Sequence, residues 1–199
     1  MMARRVDMES GMGIAQYLER SADLIRVMAA TPAAQQVEHA ARLTAQALKA
    51  DKPLLVCGNG GSAADSQHIA GELVGRFLKE RRALRCISLT ADTAILTALG
   101  NDYGYDAVFA RQVEAYGEAG GVLLGLSTSG NSANVVAAFD KARALGMTTI
   151  ALTGQGGGKL AALADVLIDV PSSHTPDIQQ VHTCLYHFLC ERIETLCLG

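Results

Sequence analysis

The chain has 199 residues, 49% of them hydrophobic and 19% charged, with a formal net charge of -3. That length buries an ordinary core in one domain, so disorder is expected only over residues 1–10, with residues 11–199 forming a single unit. An acidic chain without a Lys/Arg stripe argues against nucleic acid as a partner, and no stretch is long and apolar enough to span a bilayer.

Asp7 and Glu9 follow the basic start Met1 to Arg5 in place of an apolar run, so no signal peptide is expected. Two amphipathic helices lead, Ile14–Ala30 and Pro32–Ala50; in the first, Ile14, Leu18, Ile25 and Met28 keep nearly helical spacing. Thr31 and Pro32 form a cap and first-turn pair. Five β-rich runs follow: Leu54–Cys57, Leu84–Leu89, Val122–Leu126, Thr148–Leu152 and Val166–Val170. Helices are expected between them over Ser62–Leu78, Thr93–Leu99, Asp106–Tyr116, Ala133–Leu145 and Leu160–Ala164, and Asp177–Leu198 closes the chain. Alternation of this kind predicts an α/β fold: a parallel sheet covered on both faces, with ligands at the carboxyl ends of its strands. The basic cluster Lys79 to Arg85 reads as a solvated helix end. Cys57, Cys86, Cys184, Cys190 and Cys197 are odd in number and lack C-x-x-C spacing, which fits reduced thiols in a cytoplasmic protein.

Two strand-to-helix junctions stand out. Ser127-Thr128-Ser129-Gly130-Asn131-Ser132 collects hydroxyls and unpaired backbone N–H groups at a helix start, as a phosphate monoester requires. Gly58-Asn59-Gly60-Gly61-Ser62 is a second junction of the same type. It loosely matches a dinucleotide fingerprint, but Ile87-Ser88-Leu89-Thr90 offers no acidic partner, and Gly154 to Lys159 fails the P-loop pattern. His68 and Glu72, four apart, share one helix face and can share a metal or a proton path. In the last helix His182 and His187 compete as candidates, with Gln179 and Gln180 near its start, and His174 reads as a loop residue.

With Gly100-Asn101-Asp102-Tyr103-Gly104 added, these motifs in this order resemble the sedoheptulose 7-phosphate isomerases, also called phosphoheptose isomerases, over nearly the whole chain. The resemblance implies a sugar isomerase (SIS) fold: a five-stranded parallel sheet flanked by helices in a flavodoxin-like three-layer sandwich, with two N-terminal helices. It further implies a homotetramer with sites at subunit contacts, and conversion of sedoheptulose 7-phosphate to D-glycero-D-manno-heptose 7-phosphate, the first step toward the heptose of lipopolysaccharide or capsule. The zinc ligands of the family, one ion per subunit, carry over onto His68, Glu72, Gln179 and His187. The phosphorylated seven-carbon sugar falls to Asn59, Gly60, Gly61, Glu72, Asn101, Asp102, Ser127, Thr128, Ser129, Ser132 and Gln179.

The residue types suit aldose–ketose interconversion, which needs a base to move a proton between C1 and C2 and an acid for the oxygens. Glu72 is the candidate base and His187 the candidate acid. One straight helix would set Gln179 and His187 about 12 Å apart in rise and about 80° around the axis. Either the helix starts after Gln179 or a neighbouring chain supplies one ligand. A second reading is a catalytically inactive SIS protein that binds the replication initiator DnaA; that relative lacks counterparts of Glu72 and His187, and this chain has both.

Overall fold

Continuous apolar runs favour strands buried on both faces, and five of them form the sheet: β1 (Leu54–Gly58), β2 (Cys86–Ser88), β3 (Val122–Ser127), β4 (Thr148–Thr153) and β5 (Val166–Asp169). The computed structural model describes residues 12–198, so the disorder expected over residues 1–10 lies outside the described residues. All pairings are parallel, in the order β2-β1-β3-β4-β5. This is the doubly wound order whose switch point falls between β1 and β3.

Among the described residues, seven α-helices cover the sheet: α1 (Ile14–Ala29), α2 (Pro32–Lys49), α3 (Gly61–Val74), α4 (Thr93–Tyr103), α5 (Val108–Tyr116), α6 (Ala133–Ala144) and α7 (Thr175–Cys197). The two-residue period of a strand divides the core. Leu54 and Val56 pack with Val37 and Leu48 of α2, Ile69 and Leu73 of α3, and Ile178 and Leu189 of α7. Leu55 and Cys57 face the opposite way, onto Phe109 of α5 and Phe139 of α6. The expected three-layer sandwich results.

Several local expectations are corrected. The helix expected over residues 160–164 is a 3-10 helix, Gly158–Ala162. The second strand is only three residues long, a short edge strand. Helix α4 continues past Leu99 to Tyr103 and takes up Asn101 and Asp102. Of α1, only Met28 is buried, whereas Ile14, Leu18 and Ile25 remain exposed.

Helix α3 ends at Val74, short of Leu78. The cause is distant in sequence: the buried Glu194 carboxylate of α7 accepts the N–H groups of Phe77, Leu78 and Lys79 at 2.9, 2.8 and 2.9 Å. Arg81 is not a solvated residue of a helix end; its side chain is buried 3.4 Å from Glu194 and donates to the carbonyls of Glu72 and Gly75. Burial pushes the Glu194 carboxyl up, but the three N–H donors and the Arg81 charge outweigh it and hold the group below the usual carboxylate range.

Candidate active site

At the β1/β3 switch point lies an open cavity of about 330 Å³, lined by Asn59, Gly60, Gly61, Ser62, Leu126, Ser127, Thr128, Ser132, Thr175 and Gln179. Three helix starts converge on it, those of α3, α6 and α7. Unpaired N–H groups and the positive ends of three helix dipoles therefore point into a cavity without a lysine or arginine in its wall.

The turn after β1 depends on glycine twice. Gly60 has φ +58°, in the left-handed region, and a Cβ on Gly61 would stand 2.6 Å from Gln179 Nε2. The backbone at the start of α3 thus lies directly against the first turns of α7. Asn59 is held by a reciprocal amide pair with the buried Asn134, each Nδ2 donating to the other's Oδ1 at 2.9 Å, and Tyr105 Oη donates to Asn59 Oδ1 at 3.1 Å. Across the cavity the hydroxyls of Ser127 and Ser132 are 3.0 Å apart.

Farther along the same two helices, His68, Glu72 and His187 meet, with ligand atoms all within 4.8 Å of one another. His68 Nε2 is 3.0 Å from Glu72 Oε1, and the rings of His68 and His187 stand edge to face at 5.1 Å. Phe77 packs on the outer side of His187, its ring centroid 5.9 Å away. Two imidazole nitrogens and one carboxylate oxygen, partly exposed, make a donor set that fits zinc with a coordination position left open.

Asp65, one turn ahead of His68 on α3, joins this cluster through the Tyr186 hydroxyl at 3.3 Å. Burial pushes its carboxyl up, against the pull of that hydroxyl and of His68 and His187.

The expected residues are only partly brought together. Asn59, Gly60, Gly61, Ser127, Thr128, Ser132 and Gln179 line the cavity, while Glu72 stands with His68 and His187. Ser129 is exposed and its Oγ accepts the Asn131 N–H at 3.1 Å, outside the cavity wall. Asn101 and Asp102 are exposed on the last turn of α4 and bonded to each other at 2.7 Å. Because α7 begins at Thr175, the option that this helix starts after Gln179 is closed. His68, Glu72 and His187 come from one chain, and Gln179 lies two turns from His187, against Gly61.

Of the competing histidines, His182 is fully buried and 3.1 Å from the Thr153 carbonyl oxygen, which only accepts, so its Nε2–H donates. Burial outweighs that hydrogen bond and lowers its pKa to about 4. His174 precedes α7 and pairs with Asp177 at 3.1 Å. Thr175, Asn134 and Tyr105 were not singled out in the sequence. Asn134 and Thr175 each carry a local signal, a polar residue in the first turn of a helix.

A family model described as the SIS domain matches residues 16–154. The phosphoheptose isomerase of Rhodospirillum rubrum is 50% identical over 182 residues, covering 91% of this chain and 95% of that one. That of Aquifex aeolicus is 56% identical over 163 residues, with coverage of 82% and 85%. The solved structure of phosphoheptose isomerase from Neisseria gonorrhoeae superposes with a TM-score of 0.84 at 46% identity, covering 90% of this chain and 97% of that chain. The one from Francisella tularensis gives 0.86 at 38% identity, with coverage of 92% and 96%. A switch-point cavity walled by three helix starts, a His/Glu/His cluster farther along two of those helices and likeness over 90% and 91% of the chain lead to one conclusion: this chain belongs to the SIS-domain family and, within it, to the phosphoheptose isomerases.

Proposed function

We propose that this protein interconverts D-sedoheptulose 7-phosphate and D-glycero-D-manno-heptose 7-phosphate through an enediol. The observation that carries this reading is the spacing of the two halves of the site. Gly61 and Gln179 touch at the starts of α3 and α7, and His68, Glu72 and His187 meet two turns farther on. Seven or eight helical residues rise about 10–12 Å. An open-chain heptose held by its phosphate in the cavity can reach the cluster with its first two carbons, whereas a triose cannot.

In this reading the phosphate lies among the N–H groups at the starts of α3 and α6 and the hydroxyls of Ser127, Thr128 and Ser132, while Ser129 supports the turn through the Asn131 N–H. Asn59, Gly60, Gly61 and Gln179 hold the sugar chain between the two halves. Asn101 and Asp102, exposed and bonded to each other, serve sugar hydroxyls at a subunit contact. Glu72 moves the carbon-bound proton between C1 and C2, and His187 gives and takes the proton on the oxygens. His68, Glu72 and His187, with a Gln179 contributed by a neighbouring subunit completing the set, would hold one zinc ion per subunit. When bound, that ion supplies a Lewis acid for the carbonyl and for charge that develops on oxygen.

The exposed apolar side chains of α1, with Phe188 of α7 beside them, support a homotetramer in which a neighbouring subunit covers them. The described residues contain no helix long and apolar enough to cross a membrane, in keeping with a cytoplasmic enzyme that feeds heptose to lipopolysaccharide or capsule. The second reading, an inactive binder of the replication initiator DnaA, is disfavoured by Glu72 and His187 standing in one cluster.

Incubation of the purified protein with sedoheptulose 7-phosphate tests the activity directly, with the aldose phosphate as the expected product. Absence of turnover would move the conclusion to the binding protein. Elemental analysis should find about one zinc per chain for this set of N and O ligands. Metal-free protein with full activity in excess chelator would remove zinc from the mechanism.

A further inference from the structure

His68 has two ring nitrogens, and both are engaged. Nε2 is 3.0 Å from Glu72 Oε1, while Nδ1 is 3.1 Å from the hydroxyl of Tyr186. Tyr186 is 2% exposed and stands edge to face against both histidines, its ring centroid 5.5 Å from His68 and 4.9 Å from His187. The same hydroxyl is 3.3 Å from Asp65 Oδ1. Asp65, His68 and Glu72 are spaced three and four residues apart, so one face of α3 carries all three toward Tyr186 and His187 of α7.

Packing alone would be served by phenylalanine at position 186. A buried phenol needs partners for its oxygen, and here the partners set a direction. An ionised carboxylate can only accept, so the Tyr186 O–H is drawn to Asp65. The Tyr186 oxygen is then left to accept; Thr183 Oγ1, also at hand, gives its proton to the Gln179 carbonyl oxygen, so the donor facing the phenol is His68 Nδ1. This order places the single proton of a neutral imidazole on Nδ1 and leaves the Nε2 lone pair facing the open cluster. Glu72 by itself pulls the other way, because a carboxylate 3.0 Å from Nε2 draws the proton to that nitrogen.

We infer that Tyr186 and Asp65 form a hydrogen-bond relay that holds His68 as the Nδ1–H tautomer and in a fixed ring orientation, ready to ligate a cation through Nε2. Tyr186 and Asp65 are positioning residues and act through His68. The inference rests on the metal reading of the His68, Glu72 and His187 cluster. Hydrogen-bond partners of this kind orient a ligand and raise its basicity, and their loss typically weakens metal affinity 10- to 100-fold.

The test is zinc affinity, measured by competition with a chromophoric chelator. Tyr186→Phe deletes one oxygen and keeps the ring, so its affinity should fall about 10- to 100-fold while the melting temperature of the metal-free protein stays near that of the parent. Asp65→Asn should fall in the same direction, and it carries the test if Tyr186→Phe does not fold. Because the two groups act in series, the double variant should be little worse than the poorer single one. At saturating zinc the kcat of Tyr186→Phe should return most of the way to the parent value, which a general distortion of the site would not allow. Nitrogen-15 NMR of the zinc-loaded parent should show the His68 proton on Nδ1. A parent that binds zinc tightly and a folded Tyr186→Phe variant within about threefold of it would overturn the relay alone, since that is below the effect of such partners. A parent that binds no zinc would overturn the metal reading and the relay with it.

Discussion

Asn59 and Asn134, 75 residues apart, exchange two amide hydrogen bonds of 2.9 Å, one in each direction. Asn134 is buried in the first turn of α6, so the pair ties the turn after β1 to the helix after β3, the two sides of the switch point. Asn59 Oδ1 also accepts from Tyr105, which leaves the second Nδ2 hydrogen of Asn59 for a ligand. Replacement of Asn134 by Leu removes, besides the bond its Oδ1 accepts from Val135 N–H, the two hydrogen bonds to Asn59 of about 1 kcal/mol each, so KM for the sugar phosphate should rise roughly 10- to 30-fold. The kcat should change much less. Steady-state kinetics with a circular-dichroism check of folding decide it, and an unchanged KM would show that Asn59 needs no such support.

The serine-rich turn separates into ligand-facing and self-supporting hydroxyls. Ser132 lines the cavity with Ser127 3.0 Å away, whereas Ser129 spends its oxygen on the Asn131 N–H. Ser132→Ala should cost about 0.5–1.5 kcal/mol in binding, a KM increase of up to about tenfold. Ser129→Ala should raise KM by less and lower the melting temperature more. Equal effects on KM from both variants would place Ser129 on the phosphate as well.

Glu72→Gln keeps the shape of the side chain and removes its basicity. If Glu72 moves the carbon-bound proton, kcat should fall about 10²- to 10⁴-fold. Substrate binding should persist, and zinc content measured alongside separates lost ligation from lost base function. In heavy water the unaltered enzyme should place deuterium at C2 of the aldose or C1 of the ketose. Wild-type turnover by the variant would reject the assigned base.

His182 gives the fold its own acid sensitivity. It is buried neutral, and burial lowers its folded-state pKa from 6.5 to about 4. Between those values the unfolded chain binds the extra proton and the folded chain does not. This contribution to stability is therefore complete above pH 6.5 and is lost as pH falls toward 4. A depression of this size corresponds to something on the order of 3 kcal/mol across the window. Urea unfolding at pH 7 and pH 4.5 should show the loss, and His182→Gln should reduce the difference between the two. An unchanged pH dependence in that variant would assign the acid sensitivity to other groups.

The strand-and-helix alternation, the parallel sheet and both anion-ready turns are legible in the chain itself. Each rests on local physics: strand period, helix period, and N–H groups left unpaired where a glycine- or serine-rich turn opens a helix. His68 and Glu72 are legible for the same reason, being four residues apart on one face. What tertiary structure alone decides is which distant groups meet them. The end of α3 at Val74 is set by Glu194, more than a hundred residues later, because its carboxylate takes N–H groups that would otherwise continue the helix. The choice of His187 over His182 follows from which face of α7 turns toward α3 and which enters the core. The separation of Gln179 from the His68, Glu72 and His187 cluster, and the contact of Tyr186 with both His68 and Asp65, depend on the register of α7 against α3. That register is fixed by packing of buried side chains from many elements, and no local window of the chain contains it.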